Sequence, residues 1–512
     1  MGRSNPFEYY FAFFFASVFF ALILFYIIPK STQWPFLLLL SVGFIYLNGS
    51  LARVAVFLLI GFVAYAGAIL ISRSSGKRRT VFCSLTVFLL AAILFVSKDL
   101  DFLNIPLSLA RLLLGRGLEK TVFPVLQLIG MSYFTLSLIG YVLDVHWGKY
   151  LPETNYLKLL LFAGYFPQLT SGPITQYSDM APQLFTPHSL DVDKVIMGAE
   201  RAIWGCFKKM VLADRAAIFV NGVFDGGESS GLAWVVGTFV YAFQLYTDFS
   251  GCMDIILGIS ECFQITLPEN FRAPFTSQSL GEFWRRWHIT MGVWFKEYLL
   301  YPLMKTDGFQ RINHMLRKKF GKKTGKKIAT SLSLSVLWFV IGVWHGGSPV
   351  FICASGLIPG FFLILEEFLH DPIQNLLAKL KVNTNCLSWR LVQRGRVFLS
   401  MCCSWIFIRS GSVAAGLQNI RSMFSDFNPW VLCNYTMVAY IDQYDWEILL
   451  AGCILLTVVG LLHEQGIHIR EEFQKQNLFF RWGILLAALF IILIFGIYGP
   501  GYDAASFIYK NF

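Results

Sequence analysis

Apolar runs of about 18 or more weakly charged residues recur from one end of the chain to the other, each the length a helix needs to cross roughly 30 Å of hydrocarbon. Phe7–Ile28 is the first of them. In 512 residues that are 56% hydrophobic, 17% aromatic and 14% charged, the apolar surface exceeds what one water-soluble core can hide. The chain is therefore expected to be an all-α polytopic membrane protein whose first partner is the lipid itself.

Candidate spans are Phe7–Ile28, Trp34–Leu47, Leu51–Ile71, Val81–Val96, Val122–Leu143, Tyr156–Leu169, Leu232–Leu245, Ile328–Val343, Val350–Leu369, Val397–Ile408, Glu447–Leu462 and Trp482–Tyr498. The first lacks a basic leader and a small-residue cleavage site, so it is expected to be retained and not removed as a signal peptide. With Arg73, Lys77, Arg78 and Arg79 in the cytoplasm, the loop at Lys30 falls on the same side and the amino terminus lies outside. The whole of 1–512 reads as a single membrane domain, with N-terminal helices over 1–121, a catalytic core over 122–410 and C-terminal helices over 411–512.

A net charge of +11 invites a nucleic-acid reading, but the basic residues lie in short stretches between apolar spans, where membrane topology accounts for them. No nucleic-acid partner is expected. The ten cysteines are scattered, with Cys402 and Cys403 the only neighbours, and indicate neither a zinc site nor a disulfide framework.

The helical pattern breaks at Phe166-Pro167-Gln168-Leu169-Thr170-Ser171-Gly172-Pro173-Ile174, where two prolines and a glycine predict a re-entrant element. From Ile196 to Tyr301 apolar sequence is threaded with Lys208, Lys209, Asp214, Arg215, Asp248, Asp254, Arg285 and Arg286, which predicts oblique, half-inserted helices around a polar interior. Arg311 to Lys327 is strongly basic and reads either as a cytoplasmic loop or as an electrostatic approach for a phosphate-rich donor. Asp426 to Asp445 reads as an extracytoplasmic loop.

Two histidines stand inside apolar sequence. His345 ends the run Leu337-Trp338-Phe339-Val340-Ile341-Gly342-Val343-Trp344 and precedes Gly346-Gly347, a backbone free to bend toward a ligand. A buried imidazole is held neutral, the state in which it accepts a proton, so His345 is the leading general-base candidate; the plainer alternative is a histidine satisfied by a neighbouring carbonyl. His288 follows Trp284-Arg285-Arg286-Trp287, which reads as an interfacial helix with an aromatic belt, and it serves either the chemistry or only the anchoring of that helix. The histidines at 146, 188, 314, 370, 463 and 468 fall in polar surroundings and are assigned no role. No serine lies in a GxSxG elbow, and Ser250 has no partner visible in the sequence. His288, His345, Asp248 and Asp254 show no HxxxH or HExxH spacing, and His468 with Glu471 lies in a polar loop, so no metal is expected.

These residues sit in a series of motifs that resembles the membrane-bound O-acyltransferase family, and within it the bacterial alginate O-acetyltransferase branch. The series, from roughly Val125 to the end, comprises Gly130-Met131-Ser132-Tyr133-Phe134-Thr135 with Tyr141-Val142-Leu143-Asp144-Val145, then Tyr165-Phe166-Pro167-Gln168-Leu169 with Gly172-Pro173-Ile174. Gly205-Cys206-Phe207-Lys208-Lys209 with Ala213-Asp214-Arg215, Tyr246-Thr247-Asp248-Phe249-Ser250-Gly251, and Asn270-Phe271 with Pro274-Phe275 continue it. Phe283 to Ile289, Trp344-His345-Gly346, Phe407-Ile408-Arg409-Ser410 and the terminal Phe507-Ile508-Tyr509 complete it. Lys296-Glu297-Tyr298 stands where the branch more often has Arg-Asp-Tyr, and Ser171 replaces a common alanine.

The resemblance implies a ring of about 11–13 transmembrane helices, with re-entrant and oblique helices around a thinned central funnel. It places the family's catalytic histidine on His345 and its second characteristic histidine on His288. Trp344, Asp248, Tyr246, Trp284, Arg285 and Asn270, which stand in the motifs, are candidates for lining the substrate or donor tunnel. The implied activity is transfer of an acetyl or other acyl group from a cytoplasmic thioester, acetyl-CoA as co-substrate and no tightly bound cofactor, to an exported or cell-surface polysaccharide. An extracytoplasmic SGNH-type transferase is the expected partner, and the bacterial plasma membrane the expected location. D-alanyl transfer to teichoic acid from a carrier-protein thioester is the rival within the family. A transporter is the rival outside it, although the paired, interrupted halves of such folds are missing.

Overall fold

The computed structural model describes residues 10–97, 128, 130–226, 231–432 and 440–498. Phe7, the first residues of the Val122–Leu143 span, the tip of the 426–445 loop and the closing Phe507-Ile508-Tyr509 lie outside these. Among the described residues the regular structure is helical, with one isolated antiparallel bridge between Phe271 and Trp287. Among the described residues seven helices are both long and apolar enough to cross a membrane: Leu51–Ser72, Gly76–Ser97, Lys322–His345, Pro349–Lys379, Leu387–Arg409, Gln443–Glu464 and Leu478–Phe495. Large apolar side chains such as Phe479, Phe490 and Ile494 point outward from the last of these. Such a surface is tolerated only against lipid, and the chain is an all-α multi-pass membrane protein.

Several expected spans change in the structure. Trp34–Leu47 becomes a 15-residue helix, Gln33–Leu47. Tyr156–Leu169 stops as a nine-residue helix at Gly164, because Pro167 and Pro173 cannot donate to a helical ladder and the chain folds back on itself at Gly172. Leu232–Leu245 is part of one continuous 32-residue helix, Gly231–Cys262. Over the first part of Ile196 to Tyr301 the structure holds the regular helices Val192–Cys206 and Gly231–Cys262. Several of the charges in this region, Lys208, Asp254, Arg215 and Arg286 among them, are held in ion pairs described below.

The basic stretch from Arg311 to Lys327 is helical on either side of Gly321. Thr306 caps the Asp307–Phe320 helix by accepting from Phe309 N–H, and Gly321 at φ +82° turns the chain into the Lys322–His345 helix. Lysine and arginine are good helix formers, and Lys323 and Lys327 find Asp371 at 2.9 and 3.1 Å.

The chain divides into two compact units. In the first (1–210, 249–269 and 482–512) the Val192–Cys206 helix crosses the end of Gly231–Cys262 on a seam of glycines. A Cβ on Gly198 would meet the Gly258 carbonyl oxygen at 2.5 Å, and one on Gly205 the Gly251 carbonyl oxygen at 2.5 Å, so only glycine permits this approach. Alongside the seam Arg201 binds Asp254 at 3.0 Å, Glu261 at 3.0 Å and Glu269 at 2.6 Å. Lys208 completes the cluster on Asp254 at 2.5 Å and donates to Ser250 Oγ at 3.0 Å.

The second unit (211–248 and 270–481) holds the Lys322–His345 helix against Pro349–Lys379, whose π-helical turn Ile352–Leu357 approaches through Gly342 and Gly356. Arg409 pairs with Asp225 at 2.6 Å and Arg215 with Asp445 at 3.1 Å. Phe271, Phe275, Phe283, Trp287 and Trp405 form an interlocked aromatic core in which Phe283 stacks on Trp287 with ring centroids 5.6 Å apart.

Arg201→Ala leaves three carboxylates around an empty position and is expected to lower stability by about 3–5 kcal/mol, seen as earlier thermal unfolding of the detergent-purified protein. Arg201→Lys is expected to recover only part of the loss, because a compact ammonium cannot fork across three partners.

Candidate active site

The second unit brings both apolar histidines together. His345 is the last residue of its helix and is 7% exposed; His288 is 1% exposed, and their ring centroids are 6.4 Å apart. Trp344 packs beside them, 4.8 Å from the His345 ring and 6.2 Å from that of His288, with Phe295 at 6.0 Å on its other side. The chain leaves His345 through Gly346 and Gly347, the latter at φ +69°, a conformation that glycine adopts without strain.

His288 does not lie on an interfacial helix. The Leu280–Arg286 helix ends before it and Ile289–Phe295 begins after it, and His288 occupies the joint at φ +48°. For a residue with a Cβ this backbone is disfavoured by roughly 1–2 kcal/mol and persists only where surroundings impose it. They do so here through backbone bonds on both sides: Arg272 N–H donates to Arg286 O at 2.9 Å, and Ile289 N–H to Asn270 O at 3.0 Å. The tryptophans expected to form a membrane belt instead pack inward: Trp287 is buried, and Trp284 stands 4.6 Å from Trp338. Burial pushes the His288 imidazole down to about 3, so it is neutral at physiological pH.

Asn270 joins this group directly. Its Oδ1 accepts from Thr290 N–H at 3.1 Å and from the Thr290 hydroxyl at 3.0 Å, and lies 3.3 Å from His288 Nδ1. Thr290 was not picked out by sequence, since nothing in its spacing distinguishes it from other threonines. Tyr246 packs on Phe275 at 5.2 Å and Phe271 at 6.0 Å, next to the segment that carries Asn270. Asp248, on the same helix as Tyr246, is 2% exposed and acts electrostatically on Tyr241. Arg285 is exposed, and its charge bears on Lys296.

A second group missed by sequence anchors the His288 joint from behind. Arg286 binds Glu282 at 2.6 Å, Thr276 Oγ1 at 2.8 Å and the Glu464 carboxylate, while Arg394 reaches Glu464 at 3.3 Å and Thr276 O at 2.9 Å. Glu464 ends a distant helix, so no local pattern could have revealed it. Ser250 and Asp254 are engaged by Lys208 in the first unit. Among the described residues no three His, Cys, Asp or Glu side chains gather as a metal would require.

Two buried imidazoles beside a tryptophan, on a helical multi-pass scaffold, are the kind of polar group that a membrane protein seldom keeps in apolar surroundings without a use for it. The model of the MBOAT, membrane-bound O-acyltransferase family, matches residues 152–374, a segment that contains both histidines. It is 31% identical to the "Probable alginate O-acetylase AlgI" of Pseudomonas syringae pv. tomato over 62% of this chain and 55% of that protein. It is 27% identical to the "Peptidoglycan O-acetyltransferase" of Helicobacter pylori over 77% of this chain and 76% of that protein. Identity to the "Teichoic acid D-alanyltransferase" of Bacillus subtilis is 25% over 58% of this chain and 69% of that protein. The chain thus spans little more than half the length of the alginate O-acetylase it matches at 31% identity.

Gly347→Ala forces a Cβ into the left-handed region directly behind His345. It is expected to destabilise the protein by about 1–2 kcal/mol, measurable as a lowered melting temperature in detergent.

Proposed function

We propose that this protein is an O-acyltransferase that carries an acetyl group from cytoplasmic acetyl-CoA through the membrane for O-acetylation of an exported or cell-surface polysaccharide. One observation carries the reading: two buried histidines, 6.4 Å apart, inside the segment that the family model matches. A thioester is already activated, so the protein has to bring donor and alcohol together, remove one proton and tolerate an oxyanion. His345 acts as the base. Its neutral ring takes the hydroxyl proton as the alcohol oxygen bonds to the acyl carbon, the C–S bond then breaks, and the proton passes to the departing thiolate, which restores the neutral ring.

The same reading places the protein in the bacterial plasma membrane with its amino terminus outside, and the transfer through a central funnel between the two faces. The acceptor side is served by an extracytoplasmic SGNH-type transferase. Likeness to the teichoic acid D-alanyltransferases favours a second reading in which a carrier-protein thioester donates D-alanine. Purified protein in proteoliposomes, offered labelled acetyl-CoA or a D-alanyl carrier protein, separates the two by which label leaves its thioester.

His345→Ala and His345→Gln are expected to reduce acyl transfer on the order of 100- to 10,000-fold, with membrane protein levels unchanged. A folded variant at full rate removes His345 from the chemistry.

A further inference from the structure

The three contacts on Asn270 Oδ1 settle a question the ring positions leave open, namely which nitrogen of His288 carries its proton. A backbone N–H can only donate, so the Asn270 atom facing Thr290 N–H at 3.1 Å is the amide oxygen and not the nitrogen. That same oxygen takes the Thr290 hydroxyl at 3.0 Å and faces His288 Nδ1 at 3.3 Å. An oxygen offers no proton, so Nδ1 must supply one. In a neutral imidazole the other nitrogen, Nε2, is then the one with a lone pair.

We infer that Asn270 is a positioning residue that holds His288 as the Nδ1–H tautomer, so that His288 Nε2 meets the acyl acceptor's hydroxyl as a hydrogen-bond acceptor. In that form the neutral ring aligns the hydroxyl, and it has no N–H at Nε2 with which to stabilise an oxyanion. The assignment accounts for two otherwise unrelated features. The left-handed backbone at His288 keeps the ring in register with Asn270, and the Ile289-to-Asn270 backbone bond of 3.0 Å ties the two segments at that point. A buried asparagine accepting from a backbone amide has no rotational freedom, so the tautomer is fixed before substrate arrives. The role in catalysis rests on the acyl-transfer reading above; the tautomer does not.

The experiment has two arms on the full-length protein in lipid nanodiscs. In the first, nitrogen NMR of protein labelled with ¹⁵N-histidine, with the His288 signals identified by their loss in His288→Gln, is expected to show a protonated Nδ1 and a bare Nε2. Asn270→Leu is expected to abolish that preference. A bare Nδ1 in the unaltered protein overturns the inference whatever the activity. In the second arm, Asn270→Leu is expected to lower kcat on the order of 100-fold, near the lower end of the loss for removing a catalytic base, with the KM for acetyl-CoA little changed. Asn270→Asp keeps the acceptor oxygen but sets a carboxylate against the ring. It is expected to retain most activity at high pH and to move the acidic limb of the kcat/KM profile upward, because a nearby negative charge favours imidazolium. A profile that does not move, together with full activity of Asn270→Leu, overturns the positioning role. Should Asn270→Leu fail to fold, Asn270→Ala, which removes the same acceptor oxygen with less bulk, serves in both arms. An unaltered protein that transfers no acyl group sinks the acyl-transfer reading alone, since the NMR arm still decides the tautomer.

Discussion

Polar groups taken out of water must be paired inside the protein, and that requirement organises this molecule. Apolar surface is abundant everywhere along the chain and costs nothing against lipid, so it cannot by itself specify one packing. The few charges and imidazoles can. Each has a narrow set of geometries in which its desolvation is offset, and the helices take the arrangement in which those geometries occur together.

The first unit meets the requirement by drawing its helices close. The glycine seam of Gly198 and Gly205 against Gly258 and Gly251 removes the side-chain layer that normally separates helices, which brings Arg201 and Lys208 within 2.5–3.0 Å of Asp254 and Ser250. In the second unit charges are used as anchors. Arg286, Arg394 and Glu464 fasten the segment whose far side carries His288, so a strained joint is held by a rigid polar clamp on one face and by Asn270 on the other. The strain is local and is borne at His288, a pattern expected where a side chain must be presented in one orientation.

Much of the fold was legible one residue at a time. Long apolar runs name most of the spanning helices, the Pro167 and Pro173 pair marks where a helix stops, and Trp344-His345-Gly346-Gly347 marks a helix end with a buried imidazole on it. What stayed hidden shares one cause. The partners that make the charges between Ile196 and Tyr301 and in Arg311–Lys327 tolerable come from other segments of the chain: Asp254 for Lys208, Glu464 for Arg286 and Asp371 for Lys327. The Trp284–His288 segment was misjudged for a similar reason, since a run of aromatics at a membrane surface and one folded into an aromatic core have the same composition.

Sequence alone therefore determined that this chain lives in a bilayer, that it is helical, and that His288 and His345 are unusual, because hydropathy and the rarity of buried imidazoles are properties of single residues and their neighbours along the chain. Only the tertiary structure decided that the two rings stand 6.4 Å apart and that Asn270 and Thr290 fix one of them. Hydrogen bonds of about 3 Å are set by distances between segments, and no spacing along a sequence carries that information.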